Sequence, residues 1–179
     1  MLLHACCGPC ASAVAPYFRQ IGIEPVLFYY NPNIQPLAEY EKRRQSLLQM
    51  AQEKSFSVVI SDQYNPFPQL HHALHQPQNR CTYCYTDRLQ NTAQEALRLG
   101  FRQFSTTLLV SPYQDRDRIV FLGHQIAFQY GLEFLAPDLR SLYPQTKVNA
   151  IAMDLYRQQY CGCLMSEYER HYPDKGILL

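Results

Sequence analysis

The stretch Leu2-Leu3-His4-Ala5-Cys6-Cys7-Gly8-Pro9-Cys10 decides how the rest of the chain is read. Leu2 to Ala5 is a short apolar run of strand length, and it breaks at a Cys-Cys-Gly-Pro turn. Ala11, Val14, Ala15 and Phe18 then recur at helical spacing, which predicts a helix ending near Gly22. A buried strand therefore runs through a tight, cysteine-bearing loop into a helix.

The same alternation continues outward. Pro25 to Tyr30 reads as a second strand, closed by the turn Asn31-Pro32-Asn33. A charged helix spans Pro36 to Lys54, and Phe56 to Ile60 is a third strand. His71 to Asn79 is a polar stretch in which His71, His72 and His75 read as surface residues. Cys81 opens a helix that ends at Gly100, with Leu89, Ala93, Ala96 and Leu97 at helical spacing. Gln103 to Val110 reads as a fourth strand and Glu133 to Ala136 as a fifth. Between them Ile119, Leu122, Ile126, Ala127 and Tyr130 mark a helical face, and Lys147 to Gln159 reads as the last helix. Strands alternating with helices predict an α/β fold with a parallel sheet flanked by helices. In such sheets ligands lie beyond the carboxyl ends of the strands, where Cys6 and Cys7 fall.

With 179 residues and no repeat, low-complexity stretch or dividing linker, the expectation is one domain over residues 1–179. Hydrophobic residues make up 47%, which excludes a disordered chain. The formal net charge is only +1, so any nucleic-acid contact must come from a local basic patch. Lys42, Arg43, Arg44, Arg88, Arg116, Arg118 and Arg157 are the candidates for phosphate contacts, with a solvated helix face the plainer reading for residues 42–44. No apolar run reaches membrane-span length, and Met1 to Ala5 has no basic lead-in of the signal-peptide kind. A cytoplasmic location is the expectation, with no membrane partner. There, seven cysteines suit metal binding or redox work better than structural disulfides.

The cysteines fall into three groups. Cys6, Cys7 and Cys10 sit at a strand-to-helix turn, where free backbone N–H groups and the helix dipole favour thiolates or an anionic cluster. Packing as small hydrophobes is the plain alternative for any buried cysteine. Cys81 and Cys84 lie on one helical face; alone, their spacing is open among zinc, thiol redox and iron–sulfur ligation. Together with Cys6 and Cys7 they make a four-cysteine set that suits a [4Fe–4S] cluster or a structural zinc. Cys161-Gly162-Cys163 closes only a small, strained and easily reduced ring, which suits a cycling thiol pair; two free thiols are the alternative.

Read together, several segments resemble the epoxyqueuosine reductases of the QueH type. They are Leu3 to Cys10, Tyr29 to Ile34, Glu39-Tyr40, Arg80-Cys81 with Cys84 and Arg88-Leu89, Thr106 to Tyr113, and Tyr156 to Cys163. The resemblance runs through nearly the whole chain in the same order. It implies two-electron reductive deoxygenation of epoxyqueuosine in the tRNA anticodon, giving queuosine. It also implies a [4Fe–4S] cluster on Cys6, Cys7, Cys81 and Cys84, and a redox-active disulfide between Cys161 and Cys163. Its fold is Rossmann-like, related to the nucleotide-binding tRNA-modifying enzymes, with cysteines where those relatives carry a phosphate loop; ATP dependence is not expected. A second adjacent metal, iron or zinc, would take Cys10 as a ligand, although relatives place Asp at that position.

Tyr29, Tyr30, Tyr64, Tyr113 and Tyr143 are candidates to stack on an extruded base, Tyr113 and Asn31 being best placed just past strand ends. Asp115, Asp117 and the Cys161/Cys163 pair are candidate proton donors. Two other function classes compete. A zinc-stabilised tRNA-binding module would have no chemistry of its own. An ATP-using tRNA thiolase needs a Gly/Ser-rich pyrophosphate loop, which Cys6 to Ser12 is not. Reduction would also need an electron donor outside the chain.

Overall fold

The computed structural model describes residues 1–61 and 64–173. Its elements run β1 (Leu2–His4), α1 (Gly8–Gln20), β2 (Val26–Tyr29), α2 (Leu37–Lys54), β3 (Val58–Ile60) and α3 (Phe67–His75). They continue with α4 (Arg80–Arg98), β4 (Gln103–Thr106), α5 (Arg116–Tyr130), β5 (Glu133–Phe134), α6 (Tyr143–Ala152) and α7 (Leu164–His171). The five strands form one sheet in the order β3-β2-β1-β4-β5, every pair parallel. Parallel strands need crossovers, and helices supply them: α1 packs against α2 and α6, and α4 against α5 and the central strands.

Leu2 aligns with Val26 on one side and Phe104 on the other, so the central strand is covered along both edges. Helices on the sheet's faces leave the side chains of β1 wholly buried, which suits Leu2 and Leu3. The core gathers Leu2, Leu3, Leu27, Phe18, Phe104 and Leu89, each at most 1% exposed. Gly8 opens α1 where a Cβ would lie 2.3 Å from the Ser46 carbonyl oxygen, so only glycine lets α1 sit this close to α2. Chain order reverses between β1 and β4, and that switch point is where a crevice opens at the strands' carboxyl ends.

The fold class and all five strands agree with the sequence reading; several boundaries do not. The fourth strand stops at Thr106, and Thr107–Val110 is a turn of 3-10 helix. It turns there because the Thr106 hydroxyl oxygen accepts from the Leu108 N–H and caps it. The last long helix is Tyr143–Ala152 rather than Lys147–Gln159: Pro144 starts it, and Asp154, at φ 48°, follows its end. Two short helices, α3 and α7, were not anticipated. In α3 only Gln69 and Ala73 are buried and in α7 no residue is, although apolar residues recur at helical spacing in both, Phe67, Leu70 and Leu74 in one and Leu164 and Tyr168 in the other. No helix among the described residues is long and apolar enough to cross a membrane.

Candidate active site

The loop after β1 and the turn after β4 meet at the switch point. Asn31, buried just past β2, donates its amide to the Ala5 carbonyl at 2.9 Å and pins the first loop in place. The Cys6 N–H donates to Thr107 Oγ1 at 3.1 Å, and that hydroxyl reaches the Cys6 sulfur at 3.3 Å. Beneath them His4 is fully buried, its Nε2 at 3.1 Å from the Tyr30 carbonyl. A carbonyl only accepts, so Nε2 carries the proton and Nδ1 accepts from the Thr106 hydroxyl at 2.9 Å. Burial, then the nearby charge of Arg88, lowers the imidazole pKa to about 4, which keeps His4 neutral.

Cys6, Cys7 and Cys10 bring their sulfurs within 4.8 Å of one another at the start of α1. Cys6 is partly exposed, and Cys7 and Cys10 are buried. Hydrogen bonds from Cys10 and then Cys7 hold the Cys6 thiol well below its usual pKa. Hydrogen bonds to Cys6 and Cys7 push Cys10 up in turn. One sulfur of the three therefore holds charge most easily, with two S–H donors around it. The Gln158 amide donates to the Cys7 sulfur at 3.0 Å.

Cys81 and Cys84 stand in the first turn of α4, Cys81 exposed and Cys84 buried. Burial raises the Cys84 thiol to about 12. They line a cavity of about 320 Å³ with Cys161 and Cys163. A neighbouring cavity of about 330 Å³ is lined by Cys6, Cys10 and Cys161, and the two share Arg88, Tyr113 and Gln114. Cysteines up to 157 positions apart in sequence thus meet at one place, the carboxyl end of the central strands.

The Cys161-Gly162-Cys163 loop is strapped down from α2. Arg43, 1% exposed, pairs with Glu39 at 2.7 Å and donates to the Cys161 and Tyr160 carbonyls at 2.8 and 3.1 Å. The Gln35 N–H donates to the Gly162 carbonyl at 2.8 Å. Gly162 has φ +144°, and an added Cβ would stand 3.0 Å from Ile34, so the strapped loop needs glycine here. Across the loop, Arg80 pairs with Glu169 of α7 at 2.5 Å.

These placements correct several sequence readings. Arg43 and Arg88 are buried and do not reach phosphates on a solvated face. Lys42 alone of residues 42–44 is exposed; Arg44 is half-buried and pairs with Glu41. Arg116 donates to the Ala136 carbonyl and Arg118 to the Thr82 hydroxyl, while Arg157 stays exposed. Tyr29 is sealed in the core with its hydroxyl on the Tyr40 carbonyl, and Tyr64 donates to the Ile34 carbonyl. Tyr30 donates to Asp87. Tyr113 and Tyr143 do line the first cavity, edge to face at 5.7 Å, and Tyr113 is 80% exposed. Asp115 caps α5 through the Arg118 N–H, Asp117 points to solvent, and neither lines either cysteine cavity. His71 and His75 stack on each other at the surface, and half-buried His72 stacks on Tyr83. His4, Thr107, Gln114 and Gln158 were given no role from sequence, although His4, Thr107 and Gln158 lie inside segments that carry the resemblance and Gln114 directly follows one.

A parallel Rossmann-like sheet with thiols gathered at its switch point defines an α/β protein with a cysteine-lined site suited to metal binding or thiol chemistry. Residues 1–169 match the model of the family described as epoxyqueuosine reductase QueH, and the chain belongs to that family. It is 34% identical to the epoxyqueuosine reductase QueH of Dehalococcoides mccartyi, over 95% of this chain and 93% of that one. The QueH of Thermotoga maritima is also 34% identical, over 95% of this chain and 91% of its own. A crystal structure of a predicted subunit of tRNA methyltransferase from Methanocaldococcus jannaschii shares the fold. Its TM-score is 0.57 at 12% identity, over 98% of this chain and 88% of that one.

Proposed function

We propose that this chain reductively deoxygenates epoxyqueuosine in tRNA to queuosine. Two electrons and two protons enter, the epoxide oxygen leaves as water, and its two carbons become joined by a double bond. The observation that carries the reading is the membership of this family together with six cysteines lining two adjoining cavities and a seventh, Cys7, buried beside Cys6 and Cys10. The donor set fits the cofactor the family implies: soft thiolates at a helix N-terminus, with N–H and O–H donors already aimed at the sulfurs. Cys6, Cys7, Cys81 and Cys84 would hold a [4Fe–4S] cluster, and Cys10 would serve an adjacent iron or zinc. When bound, the cluster would supply single electrons at this site.

The chain's own residues do the rest. Thr107 and Gln158 orient the Cys6 and Cys7 sulfurs. Gln114, which accepts from the Tyr85 hydroxyl, extends its amide to the Cys161 sulfur at 3.4 Å. Cys161 and Cys163 form a redox-active pair, reset by an electron donor outside the chain. Tyr113 and Tyr143 give the crevice an aromatic rim on which an extruded base stacks. The enzyme works in the cytoplasm, where tRNA is.

The test is conversion of epoxyqueuosine-containing tRNA by protein purified without oxygen, read by mass spectrometry of the digested nucleosides, with iron, sulfide and zinc counted alongside. Queuosine formed in step with about four irons per chain supports the proposal. A colourless zinc protein that binds tRNA and converts nothing would favour the zinc-stabilised binding module instead.

A further inference from the structure

Arg88 is a buried cation without an anion. It is 2% exposed, and among the described residues no carboxylate pairs with it. Its Nε donates to the Cys84 carbonyl, one turn back on α4, at 3.1 Å, and its Nη2 is buried with no hydrogen bond. The adjacent carboxylate of Asp87 is engaged elsewhere, accepting from the Tyr30 hydroxyl and the Asn91 amide. Yet the guanidinium lines both cysteine cavities, facing Cys6 and Cys10 in one and Cys81 and Cys84 in the other.

An isolated charge in a protein interior costs several kcal/mol, so a fold that keeps one needs an anion to meet it. Four thiolates around a doubly positive core are such an anion: the assembled group is doubly negative, and taking up one electron makes it more so. Nη2 is the donor left over for it. Arg is also the cation best suited to wait here unpaired, since it stays protonated in the metal-free protein, whereas Lys would hold its charge only beside the anion.

We propose that Arg88 is the resident counter-cation of the thiolate-held metal group, a positioning residue that offsets the negative charge metal binding gathers between the two cysteine cavities. This rests on the reading that the cysteines hold a metal group, and it deepens that reading with a residue that is no ligand. Because the charge it offsets grows on reduction, Arg88 stabilises the reduced form over the oxidised one.

The experiment compares wild type, Arg88→Lys and Arg88→Met. The first readout is the reduction potential of the anaerobically purified protein. Loss of the charge should lower the reduced-to-oxidised ratio at a fixed potential about tenfold, a shift of about 59 mV for one electron. Arg88→Lys should recover most of it. The second readout is the unfolding midpoint of each variant with and without metal, using zinc as the probe alongside the iron–sulfur form. Metal loading should raise the midpoint less in Arg88→Met than in wild type or Arg88→Lys. If the protein proves to hold only zinc, the cluster reading fails while this second comparison still decides the proposal. An unchanged potential, or an equal loss of stability with and without metal, would overturn it. So would inorganic phosphate that stabilises metal-loaded wild type but not Arg88→Met, because Arg88 would then serve an exchangeable anion.

Discussion

Replacing Arg43 with Met removes the one side chain that ties α2 to the Cys161 loop through charge. The wild-type guanidinium is buried and makes three short polar contacts, to Glu39 at 2.7 Å and to the Cys161 and Tyr160 carbonyls at 2.8 and 3.1 Å. Methionine fills most of the same volume, so the cavity term is small and the loss is electrostatic. Glu39 keeps the Tyr156 hydroxyl at 2.5 Å but becomes a buried, uncompensated carboxylate. Removing one partner of a buried pair costs about 3–5 kcal/mol, a large part of a total that is about 5–15 kcal/mol. The expected result is a loss in that range in urea unfolding of the reduced, metal-free protein, so that no cofactor enters the comparison. Adding Glu39→Gln should restore about 1 kcal/mol or more, because the stranded charge goes with it. Amide hydrogen exchange should rise over residues 156–163 beyond what the global loss explains. A loss below about 1 kcal/mol with unchanged exchange in that segment would refute the strap.

Gly8→Ala should force α1 away from the Ser46 carbonyl, costing about 1–3 kcal/mol, and a melt that moves by less than about 2 °C would show that α2 yields freely. Cys84→Ser should strip the metal, whereas Cys161→Ser should keep full iron and lower turnover by orders of magnitude. Iron analysis beside a turnover assay checks both, and loss of iron in Cys161→Ser would make that residue a ligand. Tyr113→Ala, at a side chain exposed enough to leave stability unchanged, should weaken tRNA binding or turnover by the worth of one stacked base, about 1–3 kcal/mol. Equal rates for variant and wild type would remove Tyr113 from the binding surface.

What could be read in sequence was what periodicity and chemistry write locally. Leu2 to Ala5 and Val26 to Tyr29 are apolar runs that suit only a sheet covered on both faces, and the sheet followed from them. The three cysteine groups were visible because closely spaced cysteines are rare enough to demand a use. Arg43 was misread for a physical reason: a basic residue between Lys42 and Arg44 looks solvated, and only the helical phase of α2 turns it inward toward Glu39 and the Cys161 loop. Arg88 was misread in the same way, because nothing local says that an arginine has no acid to meet. Helix α7 was missed although Leu164 and Tyr168 stand at helical spacing, because it is short, buries no residue, and its long-range ion pair, Arg80 with Glu169, leaves no local mark. Thr107 was hidden by a turn that continues a β-like sequence, Leu108-Leu109-Val110, as 3-10 helix.

The central position of β1 has a consequence for the order of assembly. His4 and Thr106 lie side by side yet are separated by 102 residues, so the middle of the sheet is completed by one of the most distant pairings in the chain. Closing so long a loop carries its entropic cost before the contact rewards it, and such topologies form slowly. During synthesis the amino-terminal end emerges first, so Cys6, Cys7 and Cys10 leave the ribosome long before Cys81, Cys84, Cys161 and Cys163 exist to join them. The nascent chain therefore spends a period as a bare tri-thiol segment, open to oxidation or to capture of a stray ion. On the proposed ligand set, a cluster held by Cys6, Cys7, Cys81 and Cys84 would have no complete site until α4 has packed against β1, which would make its delivery a late event.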